Sequence, residues 1–246
     1  MSKVVIVTGG GRGIGAATCV LLAKQNYKVC VNYHSNQQQA HSVVDKIVEQ
    51  GGEAFAYQAD VSDENQVQAM FVATRQRYGD VTHLVNNAGI LFTQSELHNI
   101  DVKRFKQVLD TNVIGCFVCC KTFINQFDHA IEHGAIVNVS SAASRLGAPF
   151  EYVDYAASKG AMDSMTTGLS LELAGQNIRV NGVRPGCIYT DMHADGGEPG
   201  RVDRLGPNLP LKRGGTPEEV ANAIAWLLSE EASYVTGSFV DLAGGR

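Results

Sequence analysis

The apolar positions of this chain fall into short β-branched runs separated by longer stretches with helical spacing. Residues 4–8, 28–33, 54–58, 83–86, 135–139, 178–183 and 238–241 read as seven strands. Val4-Val5-Ile6-Val7 and Ile136-Val137-Asn138-Val139 are nearly continuous apolar runs, the pattern of strands covered on both faces, so the expected sheet is parallel. Between the runs lie amphipathic stretches. Over residues 63–78, Val67, Met70, Phe71 and Thr74 recur at i, i+3, i+4 and i+7, which predicts a helix with one buried stripe. Strands alternating with helices define an α/β class, here a doubly wound seven-stranded parallel sheet with helices on both faces. No repeat or Pro/Ser-rich linker interrupts the series, so residues 1–246 read as one domain. Residues 191–213, rich in Gly, Pro and charge, are too long for an ordinary connection and predict a lid.

Composition narrows the function classes. A chain of 246 residues, 44% hydrophobic, buries a sizeable core. Its net charge of −5 is mixed along the sequence, which argues against nucleic acid as a partner, because phosphate binding needs a clustered basic face. Uninterrupted apolar stretches are far shorter than the roughly 20 residues of a membrane span. Met1-Ser2-Lys3 runs directly into the first strand with no secretory pattern, so no membrane partner and a cytoplasmic location are expected. Cys19, Cys30, Cys116, Cys119, Cys120 and Cys187 lie in apolar surroundings and read as small buried hydrophobes. The single C-x-x-C, Cys116 to Cys119, sits in a helical pattern without a second ligand pair, and no metal site is expected.

Two constellations carry chemistry. Thr8-Gly9-Gly10-Gly11-Arg12-Gly13-Ile14-Gly15 joins the first strand to a helix. Glycines there let the backbone turn tightly against a pyrophosphate, and the helix offers its N–H groups and positive dipole end, as in a dinucleotide-binding Rossmann fold. Alone, such a loop is equally a structural turn. Tyr155-Ala156-Ala157-Ser158-Lys159 opens a helical run to about Ala174, with phenol and ammonium on one face, where the positive charge lowers the Tyr pKa. A Tyr so tuned gives or takes a proton at a substrate oxygen. Ser140-Ser141 ends a buried strand at the edge where such sheets bind ligands.

These residues resemble the short-chain dehydrogenase/reductase family over essentially the whole chain. The markers stand in order: the glycine motif, Asp60-Val61, Asn86-Asn87-Ala88-Gly89, Asn112, Ser141, Tyr155 with Lys159, Pro185-Gly186 with Ile188 and Thr190, and Gly237. The likeness is to an uncharacterised bacterial oxidoreductase branch resembling glucose 1-dehydrogenases and 3-oxoacyl-carrier-protein reductases. The resemblance implies a single-domain Rossmann fold that moves hydride between NAD(P) and a carbonyl or secondary alcohol. Tyr155 is then the general acid/base, and Lys159 lowers its pKa and holds the nicotinamide ribose. Ser141 binds the substrate oxygen, and Asn112, in a helix starting near Asp101, anchors a water for proton relay. Thr8, Gly9, Gly11, Gly13, Ile14 and Gly15 form the phosphate loop. Asp60 and Val61 contact adenine, Asn87, Ala88 and Gly89 the adenosine side of the crevice, and Pro185, Gly186, Ile188 and Thr190 the carboxamide side. Ser141 precedes Tyr155 by 14 residues, one more than is common in the family, so residues 142–154 carry an extra residue and Ser140 is the alternative assignment.

Charge bears on the cofactor form. A carboxylate at the end of the second strand selects NAD(H) by repelling a 2′-phosphate. Spacing from Gly15 puts Tyr33 there, followed by His34, and Arg12 can reach a 2′-phosphate, so NADP(H) is expected over NAD(H), which remains an alternative. Arg145, Arg184, Arg201 and Arg204 suggest an acidic substrate, or else are paired with neighbouring acids such as Glu151, Asp191, Asp195, Glu198 and Asp203. Phe92, Phe150, Tyr152 and Met192 supply apolar walls for a modest organic carbonyl compound. Asp154 is expected to cap the tyrosine helix and His193 to be a surface or lid residue. The family further implies a homotetramer, consistent with the apolar Phe117, Val118, Phe123, Ile124 and Phe127. The alternative to an enzyme is a non-catalytic dinucleotide sensor or scaffold, for which the set Asn112, Ser141, Tyr155 and Lys159 has no chemical use.

Overall fold

The computed structural model describes residues 3–127, 131 and 133–246. Met1 and Ser2, expected to lead straight into the first strand, lie outside the described residues. The seven strands are β1 (Val4–Val7), β2 (Lys28–Tyr33), β3 (Glu53–Gln58), β4 (His83–Asn86), β5 (Gly134–Val139), β6 (Ile178–Pro185) and β7 (Phe239–Leu242). They form one sheet in the order β3-β2-β1-β4-β5-β6-β7, and every pairing is parallel. The expected strands are all present, β2 and β4 at the expected bounds and the other five shifted by one or two residues at one end or both.

Alternation along each strand divides the core into two layers. Val5 and Val7 of β1, with Val29 and Val31 of β2, point to one face and meet α1 (Gly13–Lys24), α2 (Gln37–Glu49) and α10 (Pro217–Leu228). Val4 and Ile6, with Cys30, Leu84 and Ile136, point to the other and meet α3 (Glu64–Tyr78), α5 (Gly115–Asn125) and α7 (Val153–Leu173). Both faces are therefore dry, which is why the strands carry continuous apolar runs. Asp63 is not in α3 but caps it, accepting from the N–H groups of Asn65 and Gln66.

The helix expected near Asp101 is α4 (Val102–Leu109), capped by the Asp101 carboxylate, and it continues through a π turn (Asp110–Ile114) into α5. The whole run, Val102–Asn125, is long and apolar enough by length and composition to cross a membrane, although its apolar stretches taken separately are short. Nearly half of its most apolar window is buried, against α3 and α7 among others, so it serves as a core helix. Residues 142–154 are not a plain loop, since α6 (Ala143–Leu146) forms within them. Residues 191–213 are likewise partly ordered, as α8 (Met192–Asp195) and α9 (Arg201–Leu205).

Cys19, Cys30, Cys116, Cys119 and Cys120 are buried free thiols, as expected, but Cys187 is only partly buried and lines a cavity.

Candidate active site

The strand order reverses direction at β1 and β4, and a crevice opens beyond their C-terminal ends, where this sheet type takes its ligands. The glycine loop after β1 is tied down on two sides. Gly9 N–H donates to the Asn32 side-chain oxygen at 3.2 Å and Gly10 N–H to the Asn32 carbonyl at 2.8 Å. The Thr8 hydroxyl accepts from the N–H groups of Asn87 (2.9 Å) and Ala88 (3.0 Å), while Asn87 Nδ2 donates to the carbonyls of Thr8 (2.9 Å) and Gly9 (3.0 Å). A Cβ on Gly15 would lie 2.3 Å from the Gly9 carbonyl oxygen, and Gly9 itself has φ +61°, so neither position admits another residue without strain.

The α1 terminus fits a phosphate group. Helices α2, α3, α4 and α10 are closed by their own Asn36, Asp63, Asp101 and Thr216 side chains. In contrast, α1 starts at Arg12 with no side-chain cap and no acidic residue in its first turn. Its first N–H groups face a cradle of glycines and need an acceptor, the requirement a pyrophosphate meets.

The crevice has a volume of about 410 Å³. Gly9, Gly11, Arg12, Gly13 and Ile14 line its loop side, Tyr33, His34, Asp60 and Val61 one end, and Asn87, Ala88, Gly89 and Thr190 its floor. Thr8 and Gly15 stand behind it, holding the loop. Asn32 was missed in the sequence, although a lone polar residue inside an apolar strand was its signal. Its Nδ2 donates to the Ala59 carbonyl at 3.1 Å, joining the ends of β2 and β3 to the loop.

Ile14, Asn87, Thr190 and Met192 also line a second cavity of about 370 Å³, so the two spaces are contiguous. Ser141, Tyr155, Lys159, Pro185, Gly186 and Ile188 lie on this second cavity. Tyr155 is nearly buried, and desolvation pushes its pKa up to about 12, against a downward pull from the Ser141 hydroxyl. Burial, rather than the lowering expected from Lys159, sets the direction in this structure. The Lys159 ammonium lies 5.6 Å from the centre of the Tyr155 ring and donates to the Val139 carbonyl at 2.8 Å. Burial lowers the Lys159 pKa to about 8.

Asn112 lines neither cavity. It is fully buried in the π turn, its Oδ1 accepting from Ile90 N–H (2.8 Å) and its Nδ2 donating to the Ile90 carbonyl and to Ser158 Oγ (both 3.0 Å). A Cβ on Gly89 would sit 3.4 Å from both Asn112 Oδ1 and Lys159 Nζ, which places the three residues at one point. The π turn is the local unwinding that brings Asn112 there, a common device at functional positions.

Asp154 does not cap α7, which begins at Val153 after Tyr152. It is buried one residue inside the helix, where its carboxylate receives Arg104 Nε at 2.7 Å and Nη2 at 3.2 Å. Arg104 also donates to the Thr93 carbonyl at 2.8 Å, so one guanidinium joins α4, α7 and the loop after β4.

The four arginines considered for an acidic substrate are all paired. Arg145 meets Asp241 at 2.6 Å, and Arg184 meets Asp163 at 2.9 Å and stacks on Phe239. Arg201 is held by Glu151 and Glu198, and Arg204 by Glu198. Among these, only Arg201 lines the second cavity. Tyr152 and Met192 line it as expected, whereas Phe92 packs beneath Arg104 and Phe150 is exposed. Leu91, Leu146, Pro149 and Leu209 supply the remaining apolar wall. His193 also faces this cavity, hydrogen-bonded through Nε2 to the Ile188 carbonyl at 3.0 Å, and burial lowers its pKa.

Residues 9–246 match the family model described as enoyl-(acyl carrier protein) reductase. The chain is 60% identical over 245 residues to "Uncharacterized oxidoreductase YgfF" of Escherichia coli (strain K12), covering 99% of each chain. It is 37% identical over 243 residues to glucose 1-dehydrogenase 2 of Bacillus subtilis (strain 168), covering 99% of this chain and 94% of that one. A dehydrogenase/reductase of Sinorhizobium meliloti 1021, known from a crystal structure, superposes with a TM-score of 0.92 at 30% identity, covering 100% of this chain and 95% of the other. The chain belongs to the short-chain dehydrogenase/reductase family of oxidoreductases. Family membership sets aside the sensor alternative and makes a nicotinamide dinucleotide its cofactor.

Proposed function

We propose that this protein is an NADPH-preferring oxidoreductase that interconverts a carbonyl compound and its secondary alcohol, with Tyr155 as the general acid/base. The observation that carries the reading is the contiguity of the two cavities. The glycine cradle and uncapped α1 lie on one, Ser141, Tyr155 and Lys159 on the other, and Ile14, Asn87, Thr190 and Met192 on both. When bound, the dinucleotide supplies or accepts the hydride.

The chain's own residues handle the oxygen. Ser141 donates a hydrogen bond to the substrate oxygen and orients it toward Tyr155. The phenol, kept protonated by burial, delivers its proton as the oxygen gains charge, and takes it back in the reverse direction. Lys159 holds the ribose and, through Asn112, stands at the end of a proton path. Thr8, Gly9, Gly11, Gly13, Ile14 and Gly15 shape the phosphate site. Asp60, Val61, Asn87, Ala88 and Gly89 receive the adenosine half, and Pro185, Gly186, Ile188 and Thr190 the carboxamide. Arg12 and His34 recognise a 2′-phosphate beside Tyr33, since β2 ends without a carboxylate.

Apolar side chains form much of the substrate cavity and its Arg201 is paired with Glu151 and Glu198, which favours a neutral carbonyl compound, with Arg246 as a further cation on the wall. Residues 191–213 close over it as a lid. We read the chain as a cytoplasmic homotetramer. Of the residues expected to support assembly, Val118 and Phe123 are core residues, and Ile124 and Phe127 pack against the core. Phe117, expected with them, is exposed, as are Ile114 beside it, Val102 and Phe105 on α4 and Leu171 on α7. Sedimentation as a monomer at micromolar concentration would contradict that assembly.

The test is a panel of ketones, aldehydes, oxoacyl thioesters and sugars offered with NADPH and NADH. Turnover of a neutral carbonyl with a higher kcat/KM for NADPH is expected. Dinucleotide binding without turnover across the panel would contradict the reading.

A further inference from the structure

Both basic side chains of the crevice that could meet a 2′-phosphate already face a carboxylate. The Arg12 guanidinium, about half exposed, reaches across to Asp195 at the end of α8 and donates to its carboxylate. His34 Nε2 lies 3.7 Å from Asp60, whose Oδ1 is also occupied by Ser62 N–H and Oγ. The end of β2 holds Tyr33, so the negative charge that discriminates between dinucleotides is missing from its usual place. Here a carboxylate arrives from the segment over the crevice, where Asp191 and Met192 of the same turn form part of the lining.

We propose that Asp195 is a specificity-determining residue for the dinucleotide, acting by competition with the 2′-phosphate for Arg12. The inference rests on the reading of Arg12 as the phosphate contact. A phosphate dianion and the Asp195 carboxylate seek the same N–H donors of one guanidinium. Binding NADPH therefore costs the Arg12–Asp195 pair, or else places two anions side by side, whereas NADH leaves the pair intact. The pair is solvent-exposed, so its effect is modest and screened by salt. It sets how far the chain favours NADPH, and it makes that preference depend on where the lid segment lies.

The experiment is a fluorescence titration of NADPH and NADH into the wild type, Asp195→Asn, Asp195→Glu, Arg12→Ala and the Arg12→Ala/Asp195→Asn double variant. Asp195→Asn is expected to tighten NADPH about two- to fivefold at low salt and to leave NADH within measurement error. The gain should shrink at high ionic strength, vanish in the Arg12→Ala background and be absent in Asp195→Glu. A change of equal size for both dinucleotides, or a gain that persists without Arg12, would overturn the proposal. The wild-type ratio of NADPH to NADH affinity tests the cofactor reading by itself, whereas the shift on Asp195→Asn tests Asp195 whatever that ratio is.

Discussion

Ser140 and Ser141 are adjacent at the end of β5 and both border the second cavity, but their hydroxyls are engaged differently. Ser140 is buried, its hydroxyl donating to the Lys159 carbonyl at 3.2 Å, while Ser141 Oγ accepts from Ala143 N–H at 3.1 Å and shares the cavity with Tyr155. The first ties α7 to the sheet, and the second is free to meet a substrate oxygen. Ser141→Ala is expected to lower kcat/KM about 10²- to 10³-fold with an unchanged melting temperature, the usual cost of losing one donor at a developing oxyanion. Ser140→Ala should instead cost about 1 kcal/mol of stability, seen in denaturant unfolding.

The glycine loop has no slack at Gly15. An added methyl would press on the Gly9 carbonyl and on Asn87 Nδ2, 2.6 Å away, both of which shape the phosphate cradle. Gly15→Ala is expected to weaken dinucleotide binding by about tenfold or more, as strain of about 1–3 kcal/mol opens the loop. Circular dichroism should show the fold retained, because α1 itself accepts alanine.

The ribose contact proposed for Lys159 predicts a pH dependence of dinucleotide binding. Its pKa, lowered to about 8 by burial, means the ammonium is present below that value and lost as pH rises through it. Dinucleotide affinity is therefore expected to fall above pH about 8 in the wild type. In Lys159→Met it should be weaker throughout and flat in that range. The same shift acts on folding in the opposite sense. Between about 8 and the ordinary value of 10.5 the unfolded chain binds the extra proton, so this lysine's burial penalty is relieved as pH rises.

The Arg104–Asp154 pair anchors the start of the tyrosine helix. Side-chain exposure is 16% for Arg104 and 1% for Asp154, so removing one partner strands a buried charge. Asp154→Ala should cost about 3–5 kcal/mol in chemical unfolding, and Arg104→Met with Asp154→Leu should recover part of it.

Fold and site were legible in the sequence to different depths. Val4–Val7 and Gly134–Val139 announced a doubly covered parallel sheet because burial on both faces leaves no polar alternation to confuse the pattern. Gly9 and Gly15 were legible because the backbone geometry there excludes other residues. What the sequence hid were pairings between distant segments. Asp154 has the residue type of a helix cap, yet Arg104, 50 residues earlier, draws it inside the helix. The tyrosine–lysine spacing suggested a direct electrostatic partnership, but the Val139 carbonyl captures the ammonium and desolvation dominates the phenol. Arg12 reads as a free cation until α8 folds over it. Asn112 was named through the family resemblance, but the π turn that positions it is not advertised by its local sequence.

The most direct test of the account is Tyr155→Phe, which removes one oxygen from the wall shared with Ser141. NADPH should bind this variant within about tenfold of the wild type, while single-turnover reduction of any carbonyl accepted by the wild type falls about 10²- to 10⁴-fold. Turnover retained at the wild-type rate with NADPH bound would contradict the assignment of Tyr155 as the proton donor.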